Sequence, residues 1–87
     1  MLSSSILYIT QTTLSFSLPA KRHVRLTIYD VSGHRIATLL DEDRAAGRHQ
    51  VVWMGRDDQD RPVASGVYLY RIEAGDFVQT RRMLLLK

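Results

Sequence analysis

The residues of this chain with chemical potential are its carboxylates, histidines and aromatic side chains, and their spacing limits what they can do. Asp57, Asp58 and Asp60 crowd into one short segment, and calcium takes clustered carboxylate and carbonyl oxygens. The segment lacks the D-x-D-x-D-G order and the distal bidentate Glu of a calcium loop, whereas Asp also caps turns by accepting backbone N–H bonds. Turn capping is the preferred reading. His23, His34 and His49 are expected at three different strand edges, without ligand spacing, so neither a metal site nor a general base is assigned to them. Asp41-Glu42-Asp43 reads as a solvated acidic run. Ser3, Ser4, Ser5, Ser15, Ser17, Ser32 and Ser65 include no G-x-S-x-G elbow, and no glycine-rich phosphate loop is present. The chain is therefore expected to be no enzyme, with no catalytic residue, no cofactor and no metal ligand.

The aromatic residues admit two readings. Trp53 could stack on a ligand, and Tyr68 and Tyr70 could form a stripe for sugars or peptides. In a small sandwich, a lone Trp fills the space between sheets, and a Tyr buries its ring while bonding a loop carbonyl. The structural reading is preferred for all three, with Leu26, Ile28 and Tyr68 as the expected neighbours of Trp53.

Those side chains must be positioned by strands. Leu14, Phe16 and Leu18 alternate with Ser15 and Ser17 up to Pro19, and Val24, Leu26 and Ile28 alternate with Arg25 and Thr27. Tyr29 to His34 reads as a tight reversal, with Gly33 supplying a positive φ. Ile36–Leu40 returns as a strand. Leu39–Ala46 is polar on nearly all faces and is ended by Gly47, so it reads as a loop. His49–Trp53 makes a fourth strand, and Gly55–Ser65 is a turn-rich segment. Gly66–Glu73 and Phe77–Leu86 form the last hairpin, closed at Ala74-Gly75-Asp76. On the final strand Phe77, Met83 and Leu85 share one phase and Val78, Leu84 and Leu86 the other. Apolar residues in both phases predict an end covered on one side by the core and on the other by the N-terminal segment, a second subunit or a secretion component. The β-prone Ser5–Thr10, with Ile6, Tyr8 and Ile9, reads as an extra or donated strand. Six or seven short strands with regular turns indicate an all-β sandwich.

Composition fits one domain. With 87 residues, such a chain buries about two-thirds of its unfolded surface. Hydrophobic and charged fractions of 45% and 24% are globular values. No run reaches the ~18 apolar residues of a membrane span. Met1–Leu7 lacks a basic n-region, so no signal peptide is read there. With no cysteine, disulfides and thiolate sites are excluded. The net charge of +3 comes from arginines scattered along the chain, apart from Lys21-Arg22 and Arg81-Arg82, which argues against nucleic acid as a partner.

Several motifs occur in a fixed order: Leu18-Pro19, Ile28-Tyr29-Asp30 with Gly33, Gly47, Trp53 with Gly55, Ser65-Gly66-Val67-Tyr68, and the closing Arg81-Arg82-Met83-Leu84-Leu85-Leu86-Lys87. Together they resemble the FlgD-like Ig-like domain family of bacterial exported proteins, which includes the C-terminal sorting domains of type IX secretion and the Ig-like domain of flagellar hook-capping proteins. The resemblance spans residues 14–87. Asp60 stands where many relatives carry Gly, Met54 where they carry Asp or Asn, and Tyr8-Ile9-Thr10-Gln11 where they carry a Pro/Asn-rich segment. The resemblance implies an Ig-like (fibronectin III-like) sandwich of about seven antiparallel strands over residues 12–87, preceded by an extension over 1–11. It implies a secreted or cell-surface location and protein partners. The function expected is an export-sorting or surface-display module; the alternative is a self-assembling or polymer-capping subunit that forms a homo-oligomer through its N-terminal segment. Recognition is expected at Arg81, Arg82, Leu84, Leu86 and Lys87.

Overall fold

The computed structural model describes residues 12–86. Its strands are β1 (Thr12–Leu18), β2 (Arg22–Asp30), β3 (Arg35–Arg44), β4 (Gly47–Trp53), β5 (Gly66–Ala74) and β6 (Phe77–Leu85). β1 and β4 form a two-stranded sheet, and β3-β2-β5-β6 a four-stranded one. All pairings are antiparallel. This is the expected all-β sandwich. Six of its strands lie among the described residues. The strand expected over Ser5–Thr10, with Ile6, Tyr8 and Ile9, falls outside them.

Side-chain alternation sets which face of each strand turns inward. Along β1, Leu14 and Leu18 are buried and Phe16 is half-buried, while Thr13, Ser15 and Ser17 face water. β4 turns His49, Val51 and Trp53 inward, opposite Phe16, Leu14 and Thr12 in register. In the larger sheet Val24, Leu26, Ile28, Tyr68, Ile72 and Ala74 are buried against them. Thr27 is also buried, on the opposite side of the central strand β2, with Thr38 and Arg71 beside it in register.

The β2–β3 reversal follows its sequence. Gly33 has φ 89°, a region costly for side-chain-bearing residues. The Asp30 carboxylate accepts from the backbone N–H of Ser32 and of His34, both at 2.9 Å. β3 differs from expectation. Of Leu39–Ala46 only Ala45 and Ala46 form the connection: the strand continues to Arg44. Asp41, Glu42 and Asp43 have low β-propensity, but they face Arg25, Val24 and His23 in register. Opposite charges across a ladder favour pairing, and this overrides the local preference.

Trp53 is only 1% exposed. Its ring meets Tyr68 edge-on at 5.1 Å between centroids, across the two sheets. Its indole N–H donates to the carbonyl of Arg56 at 2.9 Å. Tyr68 donates its hydroxyl to the Ala64 carbonyl at 2.6 Å. Burial, with the negative charge of Asp30 second, pushes the Tyr68 phenol above the ordinary tyrosine range. The two aromatics thus pack together while pinning opposite ends of the segment between β4 and β5. Trp53→Ala is expected to cost about 3–5 kcal/mol of stability, and Tyr68→Phe about 1 kcal/mol. Urea unfolding followed by circular dichroism measures both. A solvent-exposed, red-shifted Trp53 emission from the folded chain would contradict this packing.

Candidate functional site

The three clusters in which chemistry was conceivable are occupied by structural work. Asp57 Oδ1 accepts from the backbone N–H groups of Gln59 and Arg61 at 2.9 Å, and Oδ2 sits 3.3 Å from Arg61 Nε. The Arg61 amide above all, with the Gln59 amide and the Arg61 charge behind it, holds the Asp57 carboxyl below the usual range against desolvation, the second-largest influence. Asp58 Oδ1 accepts from the Thr38 amide at 2.9 Å and so ties the segment to β3. Asp60 lies 3.8 Å from Arg56 Nε. Each carboxylate thus fastens backbone or an arginine, as the turn-capping reading holds. Asp60 has φ 62°, the one non-glycine residue with positive φ among those described. This is the position at which many relatives carry glycine.

At the open end of the β2–β3 ladder, His23 Nε2 lies 2.5 Å from Asp41 Oδ1, and Nδ1 3.0 Å from Asp43 Oδ1. These two bonds, aided by both carboxylate charges, raise the His23 imidazole above its ordinary range. The acidic run is solvated, as expected, yet two of its members clamp a histidine. His34 stands 3.4 Å from Asp30 in the β2–β3 turn. His49 bonds the Ala45 carbonyl and stacks on Phe16, with ring centroids 5.2 Å apart. The three histidines lie on separate elements. None of these pairs joins a nucleophile to a base.

What the molecule offers instead is surface. Leu85 is fully buried, whereas its neighbours Leu84 and Leu86 are 56% and 42% exposed. Among the described residues the end of β6 is covered on its core side; the N-terminal segment, second subunit or secretion component expected over its other face falls outside them. Leu84 pairs with the exposed Val67, so a small apolar patch forms on the outer face of the β5–β6 hairpin. Arg82 faces Leu69 in register on that side. Arg81 faces Tyr70 on the inner side. Both arginines are exposed. Lys87 lies outside the described residues.

The family model described as the FlgD Ig-like domain matches residues 4–76. The chain belongs to the FlgD Ig-like domain family. Its fold is also that of a solved structure, FlgD from P. aeruginosa, with a TM-score of 0.69 over 85% of this chain and 21% sequence identity. This chain spans 58% of that protein. No curated protein matches the chain in sequence.

In this FlgD Ig-like domain, the motif residues occupy positions with a physical purpose. Gly47 and Gly66 open β4 and β5. Gly55 is buried with φ 71°, and its carbonyl accepts from Val63 N at 3.0 Å, closing the base of the Asp57 loop. Trp53 and Tyr68 meet, as expected. Sequence reasoning missed the His23 clamp. A usable signal existed: His23 and Arg25 alternate on one strand, and Asp41 and Asp43 on the strand that follows the Gly33 turn.

Two outcomes follow. The His23 pKa is raised on folding, so its contribution to stability is full below the unfolded imidazole value, about pH 6.5, and fades as pH rises through the folded value. His23→Gln should therefore flatten the decline in melting temperature as pH rises above about 6.5. The decline below about pH 4 should remain, because Asp30 and Asp57 have depressed pKa values and lose their contribution on protonation. Asp60→Gly should raise stability by about 1 kcal/mol by relieving the left-handed backbone, at the expense only of an exposed ion pair. Thermal melts at matched pH test both variants.

Proposed function

We propose that this domain is a non-enzymatic protein-interaction module of an exported bacterial protein, working outside the cytoplasm as part of a larger assembly or display system. The observation that carries the reading is the division of labour among its side chains. Its titratable clusters are engaged in holding turns and strand ends, while among the described residues sheet edges and the apolar Val67–Leu84–Leu86 face are left open. Protein surface is suited to such edges and patches. Family membership and the structural likeness to FlgD agree with a scaffolding or capping role, as in flagellar hook assembly.

The export-sorting form of this reading draws support from the end of β6. Leu84, Leu86 and Arg82 present an apolar and basic outer face in the stretch where the sequence resembles the C-terminal sorting domains of type IX secretion. Residues 1–87 fused behind a periplasmic reporter in a type IX-competent host should carry the reporter to the cell surface or medium. Leu84→Ser together with Leu86→Ser should strand it in the periplasm without unfolding the domain. A folded intact fusion that stays periplasmic removes the sorting form. Light scattering of the purified chain then decides whether it self-associates, as the assembly form requires.

A further inference from the structure

The two sheets differ in width, and the mismatch leaves one part of the core face open. Residues paired across β5 and β6 share a face, so Phe77, Gln79, Arg81 and Met83 turn inward with Ala74, Ile72, Tyr70 and Tyr68. At the Met83 end that face is covered. At the other end it is not covered by any described residue: Phe77 is 52% exposed and Arg81 is exposed too. Between this uncovered half of β6 and the edge of β1 runs a trough made of two adjoining hollows of about 400 and 280 Å³, which share Ser17 and Phe77. Pro19, Phe16, Tyr70 and Phe77 give it an apolar floor and walls, with Arg22 and Arg81 along its length. β1 pairs with β4 alone among the described strands. Its other edge, which borders the trough, thus presents backbone N–H and C=O groups to whatever lies there.

Charge distinguishes this trough from the rest of the surface. Arg25, Arg35, Arg44, Arg56, Arg61 and Arg71 each lie within 4.0 Å of a carboxylate. Lys21, Arg22, Arg48, Arg81 and Arg82 have no carboxylate partner among the described residues. Arg22 and Arg81 line the trough, Lys21 adjoins Arg22, Arg48 faces Ser17 across the β1–β4 ladder, and Arg82 is the next residue of β6. The Arg22 guanidinium lies over Gly75 in the β5–β6 turn, close enough that a Cβ there would meet it at 2.8 Å. With its amide carbonyl toward the guanidinium, Gln79 accepts from Arg81 at 2.7 and 3.0 Å. Asp76 is the carboxylate at one end of the trough.

We propose that this trough is an acceptor site for an extended, acidic-flanked segment of a partner protein, which adds as a strand to the free edge of β1. Main-chain bonds to β1 give affinity, and alternate side chains of the segment pack on Tyr70 and Phe77. Acidic flanks meet the unpartnered cations, and charge complementarity of this kind selects the partner and speeds its encounter. The proposal rests on reading the domain as a protein-interaction module and names where and how it binds.

The test uses the whole 87-residue chain and a synthetic peptide that alternates valine and threonine between two Asp-Glu pairs. In an NMR titration, amide shifts should concentrate on Leu14–Leu18 and Phe77–Arg81. Affinity should fall at least tenfold for the double variant Arg22→Ser, Arg81→Ser, for a peptide with Lys-Lys flanks, and on raising the salt. Both arginines are exposed, so the variant should keep the native near-ultraviolet signal of Trp53. Three results overturn the proposal: no shifts in a folded chain, equal affinity for acidic and basic peptides, or outward β1 amides already protected from hydrogen exchange in the free chain. The last would show that the chain's own N-terminal residues hold the edge. Loss of the acceptor site by any of these leaves the fusion and light-scattering tests of the interaction-module reading untouched.

Discussion

The structure depends on a single unequal partnership: a two-stranded sheet must close the core of a four-stranded one. A two-stranded ribbon is marginal in water without a layer to pack on. β1 and β4 are therefore held by the side chains they turn inward, Leu14 and Leu18 from one and Trp53 from the other. Trp53 contributes most because it is the largest fully buried side chain and reaches Tyr68 on the opposite sheet. The segment from Met54 to Ser65, tied down at both ends by these two rings, can be rich in turns and charge without loosening the core. Replacing backbone bonds that a sheet would supply, Asp57 and Asp58 bind the amides of Gln59, Arg61 and Thr38.

The same inequality fixes what is left uncovered. Among the described residues two strands do not shield the inner faces of four, and the shortfall falls on β6, one of the two edge strands of the larger sheet. Its inward residues change in character along its length to match. Leu85 and Met83, near the covered end, are apolar. Arg81 and Gln79 follow where cover runs out, and Phe77 is left half in water. An exposed apolar run through that end would be a liability for association; Arg81 and Gln79 give it polar groups while leaving an apolar floor in reach.

How much of this was legible in the sequence varies with the range of the interaction responsible. β1 and the first part of β2 could be read directly, because period-two alternation is a local signal. The Gly33 turn was equally plain, since Asp30 and Gly33 carry its geometry. The buried Trp53–Tyr68 pair was legible from residue type and position. The second half of β3 was not, because Asp41, Glu42 and Asp43 disfavour strands on their own and become strand only opposite His23 and Arg25. The trough was illegible for a stronger reason. It depends on which strands lie at sheet edges, and strand order is a long-range property that no window of sequence contains. Arg81 and Arg82 stood out in the sequence as a pair. That one lines a core-side trough while the other faces outward follows from the register of β6 against β5.

Exposed edge strands invite copies of a protein to pair with one another, and arginine or lysine at the edge is a common deterrent. The unpartnered cations around β1 and β6 bear on this. An antiparallel pairing of two β1 edges would bring together the troughs of two copies, each lined by Arg22 and Arg81. Like charges brought together oppose association, while the trough remains open to a segment of opposite sign. The arrangement that disfavours self-pairing at this edge is therefore the one that would select an acidic strand from elsewhere. Under the assembly form of the proposed function, the outer face of the β5–β6 hairpin is the surface left for self-association. There Val67, Leu84 and Leu86 offer apolar contact with only Arg82 among them, so the two sides of one strand, β6, would serve two different kinds of contact.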